Sequence, residues 1–151
     1  MLDADPVATA NAALEALVPR AHQMGVRFVE LRPGEVRAEV PPDGNGNHFG
    51  VIYAGVIFTV AEVLGGAIHF ATFDVSTHYP LVKSLTIDFL APGKGRLSAS
   101  ATLTDEEIIR IKAEAAPDAK VAFVLEAEVL GEDGTVVART RGDYQLRPYG
   151  R

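Results

Sequence analysis

The stretch from Asn45 to Phe73, NGNHFGVIYAGVIFTVAEVLGGAIHFATF, limits what this chain can fold into more than any other part of it. It opens as a loop rich in Asn and Gly (Asn45, Gly46, Asn47, Gly50), residue types that favour turns. From about Ala54 it reads as a helix, with Val56, Ile57, Phe58, Val60, Ala61, Val63, Leu64, Ala67, Ile68 and Phe70 on all sides. A helix that is apolar all round is buried rather than laid on a surface. Glu62 cuts the uncharged run short of the roughly 18 to 20 residues that a bilayer crossing needs, so the expectation is a core helix and no membrane span.

Glu62 is the one charged side chain in the stretch before Asp74. A carboxylate taken out of water without a partner is costly. It therefore faces a water-filled groove, pairs with an arginine, or is kept for chemistry. His69 lies seven residues further on, which at about 100° per residue returns it to nearly the same helix face. Gly65 and Gly66 beside them leave room for another backbone or a ligand.

At 151 residues and 48% hydrophobic composition the chain can build one real core, and residues 1–151 are expected to form a single domain. The net charge of −6 comes without a basic stripe, which argues against nucleic acid as a partner. There are no cysteines, so disulfides and thiolate chemistry drop out. The start, MLDADPVATA, lacks the basic and apolar regions of a signal peptide, and a cytoplasmic protein is expected.

Within the N-terminal segment 1–24, residues 6–18 form an amphipathic pattern. Asp5 is placed to cap it, Pro6 suits its first turn, and Pro19 ends or kinks it. Residues 26–40 alternate around Pro33-Gly34 as a hairpin or one bent strand. The loop Asp43 to Asn47 imitates a dinucleotide fingerprint, but its third Gly is misplaced. Strands are expected at about Leu81–Leu90, Arg96–Leu103, Val121–Leu130 and Val136–Leu146, the last two joined at Glu132-Asp133-Gly134. Alternation from Val121 to Val129 argues for a sheet with one covered face. An inserted segment, 105–120, reads as a decorated loop; the other reading is a short helix before Pro117 that covers a substrate channel.

The pattern Asn47-x-x-Gly50, then Tyr53-Ala54-Gly55, then Phe58-x-x-Ala61-Glu62 resembles the hot-dog-fold acyl-CoA thioesterases of the PaaI-like and DUF4442-like type. Ser84 to Pro92 is similar to a strand of that family ending in its A-P turn, and Gly95-Arg96-Leu97 to the G-x-L that opens the next. The resemblance covers about residues 25–147. Two positions depart from it: the family His is Tyr53 here, and its first Gly is Ala54. The resemblance implies an α+β hot-dog fold, a long central helix wrapped by a curved antiparallel sheet of five to six strands. It also implies homodimers, or dimers of dimers, with sites between subunits.

The implied reaction is hydrolysis of an acyl-CoA or acyl-carrier thioester. Glu62 can act as general base on water or attack the carbonyl itself, and burial would raise its basicity. Backbone N–H groups at the helix start, from Ala54 through Gly55 to Val56, would hold the oxyanion. Gly55 would let the thioester approach closely. Asn47 matches the family Asn and would orient the water or the carbonyl, or else it is a turn residue. Tyr53 can donate a hydrogen bond. His48 is a free candidate beside the loop. His69 could pair with Glu62, line the channel, or be a core residue. Phe58, with Ile57 and Phe89, is a pocket wall or core. By position Lys83, Thr86, Lys94 and Arg96 match the region where relatives bind the nucleotide end, or they are ordinary solvated residues. Glu62, His48, His69 and His78 lack metal-site spacing, and no serine nucleophile elbow exists. No cofactor is expected beyond coenzyme A in the substrate. A non-catalytic acyl-binding protein and a hot-dog dehydratase using His48 or His69 are the alternatives.

Overall fold

In a computed structural model, residues 4–150 are described. The local signals act as read at most element ends. The Asp5 carboxylate accepts from the Val7 N–H at 3.1 Å and opens α1 (Pro6–Leu17). Pro19 ends that helix and also starts a short second one, α2 (Pro19–Gln23), because proline fits the first turn of a helix, where its missing N–H costs nothing. Strands β1 (Arg27–Arg32) and β2 (Glu35–Val40) form the hairpin, with Gly34 at positive φ in its turn.

The central helix runs as α3 (Ala54–Glu62) and α4 (Leu64–Thr72), continuing through Val63, which keeps helical dihedrals. By length and composition alone it could cross a bilayer, so Glu62 does not by itself disqualify it. In the fold more than half of it is buried, with Val60, Leu64 and Ile68 sealed completely. It is not closed on all sides, however. Phe58 and Gly66 are exposed, and Gly55, Thr59 and Glu62 are half-buried between them. Helical spacing puts these five on one open face.

Around the helix curls one antiparallel sheet of β3 (His78–Phe89), β4 (Leu97–Thr102), β5 (Val121–Leu130), β6 (Val136–Pro148) and the hairpin. The strand order is β1-β2-β4-β5-β6-β3. This is the arrangement that the resemblance implies. In β5 every second residue, Val121, Phe123, Leu125, Ala127 and Val129, points into the core. The outer face is polar, with cross-strand pairs Arg139–Glu128 and Arg141–Glu126, both at 3.1 Å. Such exposed pairs contribute little to stability.

The inserted segment is a helix rather than a bare loop. In α5 (Asp105–Glu114), Thr104 Oγ1 accepts from the Glu107 N–H at 3.2 Å, and Ile111 is fully buried. Ile108 packs at the Gly34 turn, and Arg110 reaches the Ala122 carbonyl at 3.1 Å. These contacts set α5 against the hairpin turn and β5.

Candidate active site

The open face of the helix leads into a cavity of about 350 Å³. Its floor is Glu62, Val63, Gly66, Ala67, His69 and Phe70; α1 roofs it with Ala10, Leu14 and Leu17; Val82 and Tyr144 close the side towards β3 and β6. The roof is fixed in place. Asn11 donates from Nδ2 to the Phe28 carbonyl at 2.9 Å and accepts the Phe28 N–H on Oδ1 at 2.8 Å. Phe28 begins a bulge in β1, so its backbone groups meet a side chain where the ladder shifts.

Glu62 has no ion pair or carboxylate hydrogen bond among the described residues. Burial in apolar surroundings raises its pKa. Tyr144 stands beside it: its hydroxyl donates to the Glu62 main-chain carbonyl at 3.4 Å. Burial, and then the Glu62 charge, push the phenol pKa up, so Tyr144 stays a protonated donor. His69 is buried, and its Nε2 has no partner among the described residues. Burial, with His78 close by, lowers its pKa, which leaves the imidazole neutral near pH 7.

The two glycines have different uses. A Cβ on Gly65 would collide with the Tyr144 ring, whereas one on Gly66 would meet nothing. Gly65 makes room for the fold's own tyrosine, and only Gly66 leaves space for something else.

At the helix start, the Val56 N–H already donates to the Tyr53 carbonyl at 3.0 Å. The N–H groups with no acceptor among the described residues are those of Ala54 and Gly55. This narrows the donor set expected from the sequence, because the first turn closes on Tyr53. The exposed Tyr53 ring folds over Gly55. In the preceding loop, Asn47 Oδ1 accepts from the Phe49 N–H at 2.9 Å and the Val51 N–H at 3.4 Å. The buried anchor is Asn45, whose Nδ2 donates to the Met24 and Pro41 carbonyls at 2.7 and 2.8 Å. His48 is exposed, with its ring 4.0 Å from that of Phe49.

The basic residues do not converge within one chain. Lys83 is exposed at the β3 bulge. Thr86 lies on the polar outer face opposite Arg141. Lys94 borders a separate groove near Glu132, and Arg96 pairs with Glu39 at 3.8 Å. Among the described residues no three His, Cys, Asp or Glu side chains gather as a metal site.

Sequence reasoning missed Asn11, Tyr144 and the roof residues of α1. Tyr144 had a legible signal, an inward position two residues after Gly142 on an alternating strand.

The family model described as Domain of unknown function (DUF4442) matches residues 8–146. No curated protein matches the chain. The crystal structure of PA5026 from Pseudomonas aeruginosa, described as a protein of unknown function and probable thioesterase, is similar at 38% identity and TM-score 0.88, covering 96% of this chain and 97% of that one. A mutant form of thioesterase PA1618 from the same organism shares the fold at 19% identity and TM-score 0.76, with 97% of each chain covered. Thioesterase HI1161 from Haemophilus influenzae does so at 15% identity and TM-score 0.76, covering 96% of this chain and 92% of that one. A family match along nearly the whole chain, together with the sheet that wraps its central helix, makes this protein a member of the DUF4442 family with the hot-dog fold.

Proposed function

We propose that the protein is a thioesterase that hydrolyses an acyl-CoA or acyl-carrier thioester, with Glu62 as the base. The observation that carries this reading is a carboxylate in a ligand-sized cavity, with no cation beside it among the described residues and a pKa raised by burial. The similarity to a probable thioesterase at 38% identity supports it.

Glu62 takes a proton from a water molecule, and the water oxygen attacks the thioester carbonyl carbon. The negative charge that develops on the carbonyl oxygen is held by backbone N–H groups at a helix start. Collapse of the adduct breaks the C–S bond, and the proton on Glu62 goes to the departing thiolate. A raised carboxylate pKa suits both halves of this cycle. Direct attack by Glu62, through an anhydride that water then opens, reaches the same products.

Gly55 and Glu62 lie seven residues apart on one helix, roughly 10 Å of rise. Groups acting on one carbonyl must come within about 3 Å of it. In this reading the donors for one Glu62 come from another copy. The edge strand β3 supplies the means: it has a free edge 12 residues long. Val82 and Phe89 on it, and Phe58 on the helix, are exposed apolar residues. Exposed edges and apolar patches of this kind are covered by pairing. In this reading two copies join β3 to β3, Glu62 of one facing the Asn47 loop and helix start of the other, and two such dimers assemble into a tetramer.

A second reading, a non-catalytic acyl-binding protein, is favoured by the Tyr53 ring lying over Gly55. A panel of short- to long-chain acyl-CoA thioesters, followed by free-thiol release, separates the two. Thiol release supports the esterase; binding without release supports the binding protein. Hydration of an enoyl-CoA would instead point to a dehydratase.

A further inference from the structure

We infer that the substrates are long-chain fatty acyl thioesters, because the cavity that begins at Glu62 runs between apolar walls to an open far end at Val75 and Tyr149, where a tail longer than the cavity passes out. This rests on the reading of Glu62 as the reacting centre and adds to it the class of acyl group.

Two elements fix the direction of the cavity independently. On the helix, Glu62, Gly66 and Phe70 follow one another at four-residue spacing along the floor. That spacing keeps them on one face and spans roughly 12 Å. On the sheet, Val82 pairs with Tyr144, Pro80 with Leu146 and His78 with Pro148. Tyr144 stands at Glu62, whereas the Tyr149 N–H donates to the Thr77 carbonyl at 3.1 Å. Val82, Pro80 and Tyr149 all border the cavity, so its wall leaves Glu62 along β3 and β6. From Tyr144 to Tyr149 that is five residues, roughly 16 Å of extended chain. Both routes lead to the loop after α4, where Val75 lines the cavity three residues beyond the helix.

The far end meets solvent. Val75 is 45% exposed and Tyr149 57% exposed, although both line the cavity. A blind pocket ends on buried side chains and so measures the length of a chain. Here the last lining residues lie at the surface and are apolar, and the Tyr149 ring rests against that of Tyr79, centroids 5.3 Å apart. Between the two ends, Leu14, Val63 and Ala67 are buried apolar lining, a surface on which each added methylene gains by leaving water. Gly66 keeps the middle of the path clear, since a Cβ there would meet nothing. No Lys or Arg lines the cavity among the described residues, so a charged tail would find no counter-ion along it.

The test is a chain-length series of butanoyl-, octanoyl-, dodecanoyl- and hexadecanoyl-CoA with their non-hydrolysable thioether analogues, each below its micelle concentration. In the native protein analogue affinity is expected to rise at least about tenfold from butanoyl to dodecanoyl. Hexadecanoyl should bind no more weakly than dodecanoyl, and kcat/KM should follow the same order. Gly66→Leu fills the path between Glu62 and Phe70 and is expected to lower the hexadecanoyl-to-butanoyl affinity ratio at least about fivefold. Val75→Asp, on an exposed loop, puts a charge at the open end and should penalise hexadecanoyl more than octanoyl. No binding of any analogue, a native preference for butanoyl, a sharp loss of binding beyond octanoyl, or ratios unchanged in both folded variants would overturn the assignment. Because binding is read without turnover, long analogues bound in this order with no thiol released would refute the esterase reading and leave the chain-length assignment standing. Glu62-dependent hydrolysis confined to short chains would do the reverse.

Discussion

The ring of Tyr144 fills the space that a side chain on Gly65 would need. It also stacks on Phe123, centroids 5.5 Å apart and planes 20° apart, which holds it in that position. The same ring lies against Gly142, and its hydroxyl reaches the main chain at Glu62. A helix glycine and a strand glycine thus form the slot for the tyrosine that walls the cavity.

Gly65→Ala should therefore destabilise the fold, although alanine is the better helix former. Overpacking of this kind costs about 1 to 3 kcal/mol, against a helix-propensity gain of about 1 kcal/mol. Gly66→Ala, with open space at the same depth of the helix, should be neutral or stabilising. Chemical denaturation of the two variants checks the contrast, and equal effects would contradict the packing argument.

Asn11 is the fastener of the cavity roof. Asn11→Ala leaves the Phe28 N–H and carbonyl without their partners, an expected loss of about 1 to 3 kcal/mol. Amide exchange at Phe28 and along α1 should quicken more than exchange at β5. Uniform quickening would mean that the clamp is not local.

The Glu62 carboxyl makes stability depend on pH with a definite sign. Its pKa is raised in the folded protein by burial, so the folded state holds the proton at pH values where the unfolded state has released it. Stability is full below the ordinary carboxylate range and falls as pH rises through the raised value. Glu62→Gln should be more stable than the native protein at neutral pH, and the difference should vanish in acid. His69, lowered by burial, acts in the opposite sense: its contribution is present above the ordinary imidazole value and is lost as pH falls through the lowered one. Thermal unfolding of Glu62→Gln and His69→Gln from pH 4 to 8 separates the two slopes.

In the proposed dimer the β3 edge forms the contact between copies. Phe89→Glu places a charge on the exposed apolar row of that strand and should convert dimers to monomers in sedimentation while leaving the fold intact. If the donors come from the partner copy, hydrolysis is lost with the dimer. A monomer that still turns over would refute the shared site.

Much of the fold was legible because the pattern is strong where the sheet has one wet face. Val121–Leu130 alternates without error, and the Pro33-Gly34 turn joins the first two strands. The carboxylate stood out because Glu62 is the lone charge in an apolar run. What surrounds it was not legible. The roof comes from Ala10, Leu14 and Leu17, and the wall from Tyr144, all far away in sequence and packed there only by tertiary folding. The open helix face was missed because Phe58 looks like core, and burial depends on what the sheet leaves uncovered. The α5 helix was undervalued despite a capping threonine, three acids in its first turn and Ile108 and Ile111 at helical spacing.

The most direct test of the central claim is the rate of thiol release by Glu62→Gln on whichever acyl-CoA the native protein hydrolyses best, with binding of the thioether analogue measured alongside. Removing a positioned general base costs about 10² to 10⁴ in rate. A fall in kcat of at least about a hundredfold is expected, with analogue binding retained. Release at the native rate, in a variant that still folds and binds, would contradict it.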